Sequence, residues 1–180
     1  MATKTLKIGS TMPGFSLKGV DNKTYSTDNF TDKKVLMVIF SCNHCPYVQA
    51  YEGRIIAIQN DYADKGVAVM AINSNDDSKY GEDSFENMIR RSNEKGFNFP
   101  YLRDEDQDVA KKFDASHTPE IFVFNKDREL CYHGKIDDNW KEPEKVKSKY
   151  LRDALDELLA GKEISVPETF SIGCTIKWKD

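Results

Sequence analysis

The apolar run Val35-Leu36-Met37-Val38-Ile39-Phe40, followed after Ser41 by Cys42-Asn43-His44-Cys45, constrains this chain more than any other stretch. Residues 34–41 read as a strand buried on both faces, the pattern of a strand inside a sheet covered on each side. A CxxC at its end, with a helical pattern beyond, displays two thiols at the rim of that sheet. The i, i+3 spacing closes one turn and holds the two Cα atoms within disulfide reach, about 5–6 Å. A dithiol placed there opens and closes without refolding. That suits redox catalysis, whereas a structural staple has no need of the position.

The remaining periodicities build a domain around this strand. Val48, Tyr51, Ile55, Ile58 and Tyr62 recur at spacings of three and four, an amphipathic helix ended by Gly66. Val67–Ile72 is a second buried strand. Asp83-Ser84-Phe85-Glu86 opens a helix with Phe85, Met88 and Ile89 inward and Gly96 at its stop. Pro100-Tyr101-Leu102 predicts a short strand, and Val109, Ala110 and Phe113 a short helix. Glu120–Phe124 and Leu130–His133 are strands joined by Asn125-Lys126-Asp127-Arg128, which is hairpin chemistry. The last helix is expected directly after Pro143, with Val146, Tyr150, Leu151, Ala154, Leu155, Leu158 and Leu159 on its apolar face before Gly161. Ahead of all this, Gly14–Gly19 and Thr24-Tyr25 flank the polar turn Asp21-Asn22-Lys23, an N-terminal hairpin. Strands alternating with helices predict one α/β domain over residues 1–180, with a largely parallel sheet closed by an antiparallel hairpin. In residues 162–180, Phe170, Ile172, Cys174, Ile176 and Trp178 fall at every second position. That predicts an extended tail with one buried face, packed back on the body.

A net charge of -4 and three isolated basic pairs (Lys33-Lys34, Arg90-Arg91, Lys111-Lys112) provide no footprint for nucleic acid. No apolar stretch approaches ~18 residues and residues 1–7 lack a signal-peptide core, so a cytoplasmic chain without membrane attachment is expected. Four cysteines are few for a disulfide-stabilised secreted domain, and in a reducing cytosol a CxxC reads as catalytic or metal-binding. The expected partners are disulfide or thiol substrates, protein or small-molecule, and an electron donor. The chain is expected to be a monomer or weak dimer, with no cofactor and no bound metal.

The thiolate is the reactive form of cysteine. Cys42 falls at the loop-to-helix junction, where free N–H groups and the helix dipole favour negative charge. His44 adds an imidazole between the cysteines. Cys42 is therefore expected as the nucleophile, with a pKa below ~7, and Cys45 as the resolving thiol. Pro46 leaves two arrangements open: it lies inside the helix, or it begins the helix and leaves 42–45 as an irregular turn. Three alternatives stand beside this reading. The CxxC could be a zinc half-site, although Cys131 and His133 are only one residue apart and Cys174 is isolated. His44 could be a solvated surface residue. Cys174 could be a third redox thiol rather than, like Cys131, a small buried hydrophobe. The second anchor is Ser116-His117-Thr118-Pro119 before a strong strand. With the CxxC present, Thr118-Pro119 is expected to be cis and to offer the Thr118 backbone to an extended substrate by strand addition. His117 is expected to be an exposed loop residue.

These motifs together resemble the thioredoxin superfamily, and more narrowly its AhpC/TSA and TlpA/ResA-like branch. Gly14-Phe15-Ser16-Leu17 with Asp21–Tyr25 is similar to that branch's N-terminal hairpin, Phe40–Tyr47 to its active-site turn and Thr118–Phe124 to its cis-proline strand. The likeness spans about residues 8–160 and implies a thioredoxin-like fold and thiol–disulfide oxidoreductase activity. Two positions depart from thioredoxin itself: Ser41 replaces the usual Trp, and Leu36 stands where many relatives carry a buried acid. A peroxiredoxin-like thiol peroxidase, an antioxidant activity, is the alternative, because Cys45-Pro46 resembles the peroxidatic position. The hydroxyl and proline of that pattern are replaced by Cys42 and Val38. A zinc or metallochaperone-type binding module is a further, non-enzymatic alternative.

Overall fold

The structure, a computed structural model, describes residues 6–180. Residues 1–5, part of the segment read as lacking a signal peptide, lie outside the described residues. An N-terminal hairpin pairs β1 (Ser16–Gly19) with β2 (Thr24–Ser26), Leu17 opposite Tyr25. The central strands β3 (Val35–Ser41) and β4 (Val67–Asn73) run parallel in register Val35↔Val67 to Ser41↔Asn73. β5 (Tyr101–Arg103) continues the parallel set beside β4. On the other side of β3 come the antiparallel β7 (Glu120–Phe124) and β8 (Leu130–Gly134). The seven-stranded order is β2-β1-β5-β4-β3-β7-β8, a mixed sheet with β3 near its centre. This is the thioredoxin-like α/β arrangement that the resemblance implies.

Alternation inside β3 explains why its sequence is continuously apolar. Val35, Met37 and Ile39 face one core with α1 (Pro46–Tyr62), α2 (Phe85–Lys95) and α4 (Tyr150–Leu159). Leu36, Val38 and Phe40 face a second core with α3 (Asp108–Phe113). Both faces are covered, so no polar residue is needed on either. α1 begins with Pro46 at its first position, where the missing N–H costs nothing. It ends through a short 3-10 turn at Gly66, whose φ of 86° is left-handed. No helix among the described residues is long and apolar enough to cross a membrane.

Two segments differ from the sequence reading. The last helix starts at Tyr150, not at Pro143, which opens only a 3-10 turn. The Asp138 carboxyl accepts the Lys147 N–H at 2.9 Å, and the Ser148 carbonyl accepts the Asp138 N–H at 3.1 Å. These bonds pull residues 146–149 out of helical conformation. In the tail, β9 (Cys174–Thr175) is only two residues long and pairs antiparallel with β6 (His117–Thr118). Ile176 is buried, but Phe170 is 92% exposed and Ile172 and Trp178 are also exposed. The expected apolar face therefore holds only near Cys174 and Ile176. Two of its backbone N–H groups seat the tail: Ile176 N–H donates to Ser116 O and Lys177 N–H to the Asn75 side-chain Oδ1, both at 2.9 Å.

Candidate active site

The carboxyl ends of β3, β4 and β5 form one rim, the usual location for sites on parallel strands. Cys42 follows β3 there, and Cys45 is the residue immediately before α1. The arrangement with Pro46 at the helix start is the one adopted, so the turn 42–45 is irregular. The Val48 N–H in the first turn of α1 is directed at the Cys45 sulfur. The Thr118-Pro119 peptide is cis and lies against this turn. Cys42 Sγ is 3.4 Å from Thr118 Oγ1, and Cys45 Sγ is 3.5 Å from the Thr118 carbonyl oxygen. All four cysteines are free thiols, and Cys42 and Cys45 are both buried.

The two thiols are driven in opposite directions. Cys42 is raised well above its ordinary value, first by its hydrogen bond to Cys45, then by burial and by the facing charge of Asp83. Cys45 is lowered, first by that same bond from Cys42 and against its own burial. The Cys174 thiol and the backbone N–H groups of Val48 and Cys174 lower it further. The bond between the two thiols thus favours negative charge at the sulfur at the head of the helix, whereas the sequence reading placed it on Cys42.

His44 keeps a ring nitrogen within 4.8 Å of Cys42 Sγ, but its direct partner is Asp83. Its Nδ1 lies 2.5 Å from Asp83 Oδ2, and its ring stacks on Tyr80 at 5.7 Å. Asp83, fully buried, organises the turn and was legible only as part of a helix start. Oδ1 accepts the Asn43 N–H at 2.6 Å and an Asn73 amide N–H at 3.2 Å, while Oδ2 accepts from Asn75 at 3.0 Å. Asn43 is locked in turn, donating to Glu82 O and accepting from the Tyr101 hydroxyl, both at 2.8 Å. Cys42, His44 and Asp83 bring ligand atoms within 4.8 Å of one another. Both Asp83 oxygens are already engaged, so a cation there would have to displace those bonds.

The remaining candidates separate. Cys131 is half-buried on β8, its Sγ 3.4 Å from Glu129 O, outside this cluster. His117 is half-buried, with Nδ1 2.7 Å from Ser116 Oγ. Cys174, which the sequence left isolated, lies with its Sγ 2.7 Å from Cys45 Sγ. Its approach spans 129 residues of sequence, and no local pattern signals it.

The mixed sheet, the strand-end dithiol and the adjacent cis-proline strand make up a thioredoxin-like fold. The chain belongs to the Redoxin family, whose model matches residues 7–150. An uncharacterized conserved protein from Geobacillus kaustophilus is 39% identical with a TM-score of 0.92, the match covering 98% of this chain and 94% of that one. A hypothetical protein from Sinorhizobium meliloti 1021 is 35% identical, also at TM-score 0.92, over 98% and 97% of the two chains. A thioredoxin family thiol:disulfide interchange protein from Chlorobium tepidum TLS shares the fold at TM-score 0.66 and 18% identity, over 85% and 98%. No curated protein matches the chain.

Proposed function

We propose that the protein is a thiol–disulfide oxidoreductase whose working group is the Cys42/Cys45 dithiol. The observation that carries this reading is two thiols held together at Thr118, Cys42 Sγ 3.4 Å from its Oγ1 and Cys45 Sγ 3.5 Å from its carbonyl oxygen. Family membership supports thiol redox chemistry more generally. The Cys45 thiolate attacks a substrate disulfide and forms a mixed disulfide, releasing one substrate thiolate. Cys42 then loses its proton and attacks Cys45 Sγ, which frees the second substrate thiol and leaves a Cys42–Cys45 disulfide. Two electrons pass from the dithiol to the substrate. The attack order is the reverse of the sequence expectation, because the bond between the two thiols favours charge on Cys45, with the Cys174 thiol and the Val48 N–H supporting it there and Asp83 opposing it on Cys42. An extended substrate would pair with the Thr118 edge only after β9, which is paired there with Thr118 opposite Cys174, has moved aside. His44 acts through Asp83, holding the turn.

Thiolate absorbance against pH tests the assignment. Cys42→Ser should keep a thiolate that ionises below the free-cysteine value of about 8.5, and Cys45→Ser should lose it. The opposite pattern returns the nucleophile to Cys42. Reversible closure of Cys42–Cys45 in a glutathione titration of Cys174→Ser tests the reaction itself, and failure to close rejects it.

Thiol peroxidase is the second reading, favoured by one feature: Cys45, its thiol held below the ordinary value by the bond from Cys42, directly precedes Pro46 and occupies the peroxidatic position of the resemblance. Turnover of hydrogen peroxide, with Cys45 oxidised first, would establish it in place of disulfide exchange. Stoichiometric zinc in the purified protein would favour the binding-module reading over both.

A further inference from the structure

The edge of Thr118 where a substrate strand would add is already occupied by the chain itself. Cys174 stands opposite Thr118 in the β6–β9 pair. Gly173 comes so close to the Thr118 carbonyl that a Cβ there would collide with it. The seat is specific and polar. Buried Asn75 accepts the Lys177 N–H, buried Gln107 donates to Lys177 O at 2.9 Å and accepts the Lys179 N–H at 3.0 Å, and Lys177 O also accepts the Asp76 N–H at 2.8 Å. With the tail so held, Cys42 is 1% and Cys45 0% exposed, and Cys174 joins them and Val48 in one cluster. A substrate strand presenting a sulfur to a dithiol would sit in this way.

We infer that Cys174 is a third redox thiol of this site, carried on an internal substrate strand, and that it exchanges with Cys42 for Cys45. This rests on the dithiol chemistry proposed above. The thiolate of Cys174 attacks Cys45 Sγ of the Cys42–Cys45 disulfide. The Cys45–Cys174 bond forms as the Cys42–Cys45 bond breaks, and Cys42 leaves as a thiolate that takes up the proton Cys174 gave up. One disulfide replaces another, so the step needs no further oxidant or reductant. Holding the two sulfurs together within one folded chain makes the exchange intramolecular, with the rate advantage of fixed proximity. The product ties the tail across the dithiol and frees Cys42.

Peptide mapping reads this directly. Trypsin separates residues 35–54, which contain Cys42 and Cys45, from 163–177, which contain Cys174, and from 129–135, which contain Cys131. Full-length Cys42→Ser, oxidised in a glutathione buffer that closes Cys42–Cys45 in Cys174→Ser, is alkylated and digested without reduction. The expected result is that most of the protein carries peptide 35–54 linked to 163–177. Free Cys45 and Cys174 under that buffer, or linkage to 129–135 at an equal yield, overturns the inference. Gly173→Ala in the otherwise native chain is the second measurement and leaves all three sulfurs in place. Displacing β9 should lower the 35–54/163–177 linkage several-fold and raise the closed loop within 35–54, while an unchanged ratio overturns the inference. Failure of Cys174→Ser to close Cys42–Cys45 at any glutathione ratio overturns the proposed function and the exchange with it, whereas closure there without the 35–54/163–177 linkage in Cys42→Ser overturns this inference alone.

Discussion

Glu120 follows the cis-proline and is 2% exposed, yet it is held in its charged form. Burial pushes its carboxyl up, but His133 at 2.8 Å and the N–H groups of Ser116 and His117 together bring it below the usual range. His133 is lowered by burial, and Glu120 and Glu168 outweigh that and raise it. The contribution of Glu120 is complete above its unfolded pKa and is lost as pH falls through its lower folded value. The contribution of His133 is complete below its unfolded pKa and is lost as pH rises through its higher folded value. The stability difference between the native chain and His133→Ala should therefore be largest between about pH 4.5 and 6.5 and shrink on both sides. In that window it should reach about 3 kcal/mol, the cost of leaving a buried charge without its partner. Urea midpoints across pH measure it, and a difference that does not change with pH would show that His133 acts by packing alone.

α2 shows how an element end serves the site. Ser84 caps it, its Oγ accepting the Asn87 N–H at 3.2 Å, and Gly96 closes it in a left-handed conformation at φ 66°. Asp83 immediately precedes the cap, so the geometry that starts the helix also aims the carboxyl at Asn43 and His44. Arg91 on the same helix grips Glu52 of α1, with N–O distances of 2.6 and 2.5 Å. α2 is thereby fixed to the helix that follows the dithiol. Ser84→Ala should cost about 1 kcal/mol in urea unfolding, the usual price of a lost side-chain cap. A change within error would mean that the Glu52–Arg91 pair and the packing of Met88 hold this end without the cap.

At the scale of the molecule, α3 is the helix that covers the second face of the sheet, and six residues are too few to be helical in isolation. Phe113 secures it. Its ring lies 5.3 Å from both Phe40 and Phe122, 5.9 Å from Phe124 and 6.1 Å from Phe15. Phe113→Ala would remove the centre of this aromatic cluster and should cost about 3–5 kcal/mol. Calorimetry or urea unfolding measures the loss, and one below about 1 kcal/mol would mean that the cluster closes over the gap. Phe40 is two residues before Cys42, so the same packing fixes the strand end from which the turn departs.

Residue pattern alone determined the alternation of strands and helices, the buried β3, the α1 and α2 stops at Gly66 and Gly96, and the pairing of a CxxC with a Pro-led strand. Each is a local consequence of side-chain period, caps or glycine conformation, and each is written within a few consecutive residues. Local pattern misplaced the start of α4, where Asp138 captures residues 147 and 148 from across a loop. It overestimated the apolar face of the tail, whose seat is two buried amides. The tertiary structure decided which carboxylate holds His44 and what Cys174 meets. Asp83 reaches Asn43 across 40 residues, Tyr101 reaches it across 58, and Cys45 meets Cys174 across 129. Hydrogen bonds between such distant side chains impose no period on the chain, so only the folded packing of the sheet rim brings them together.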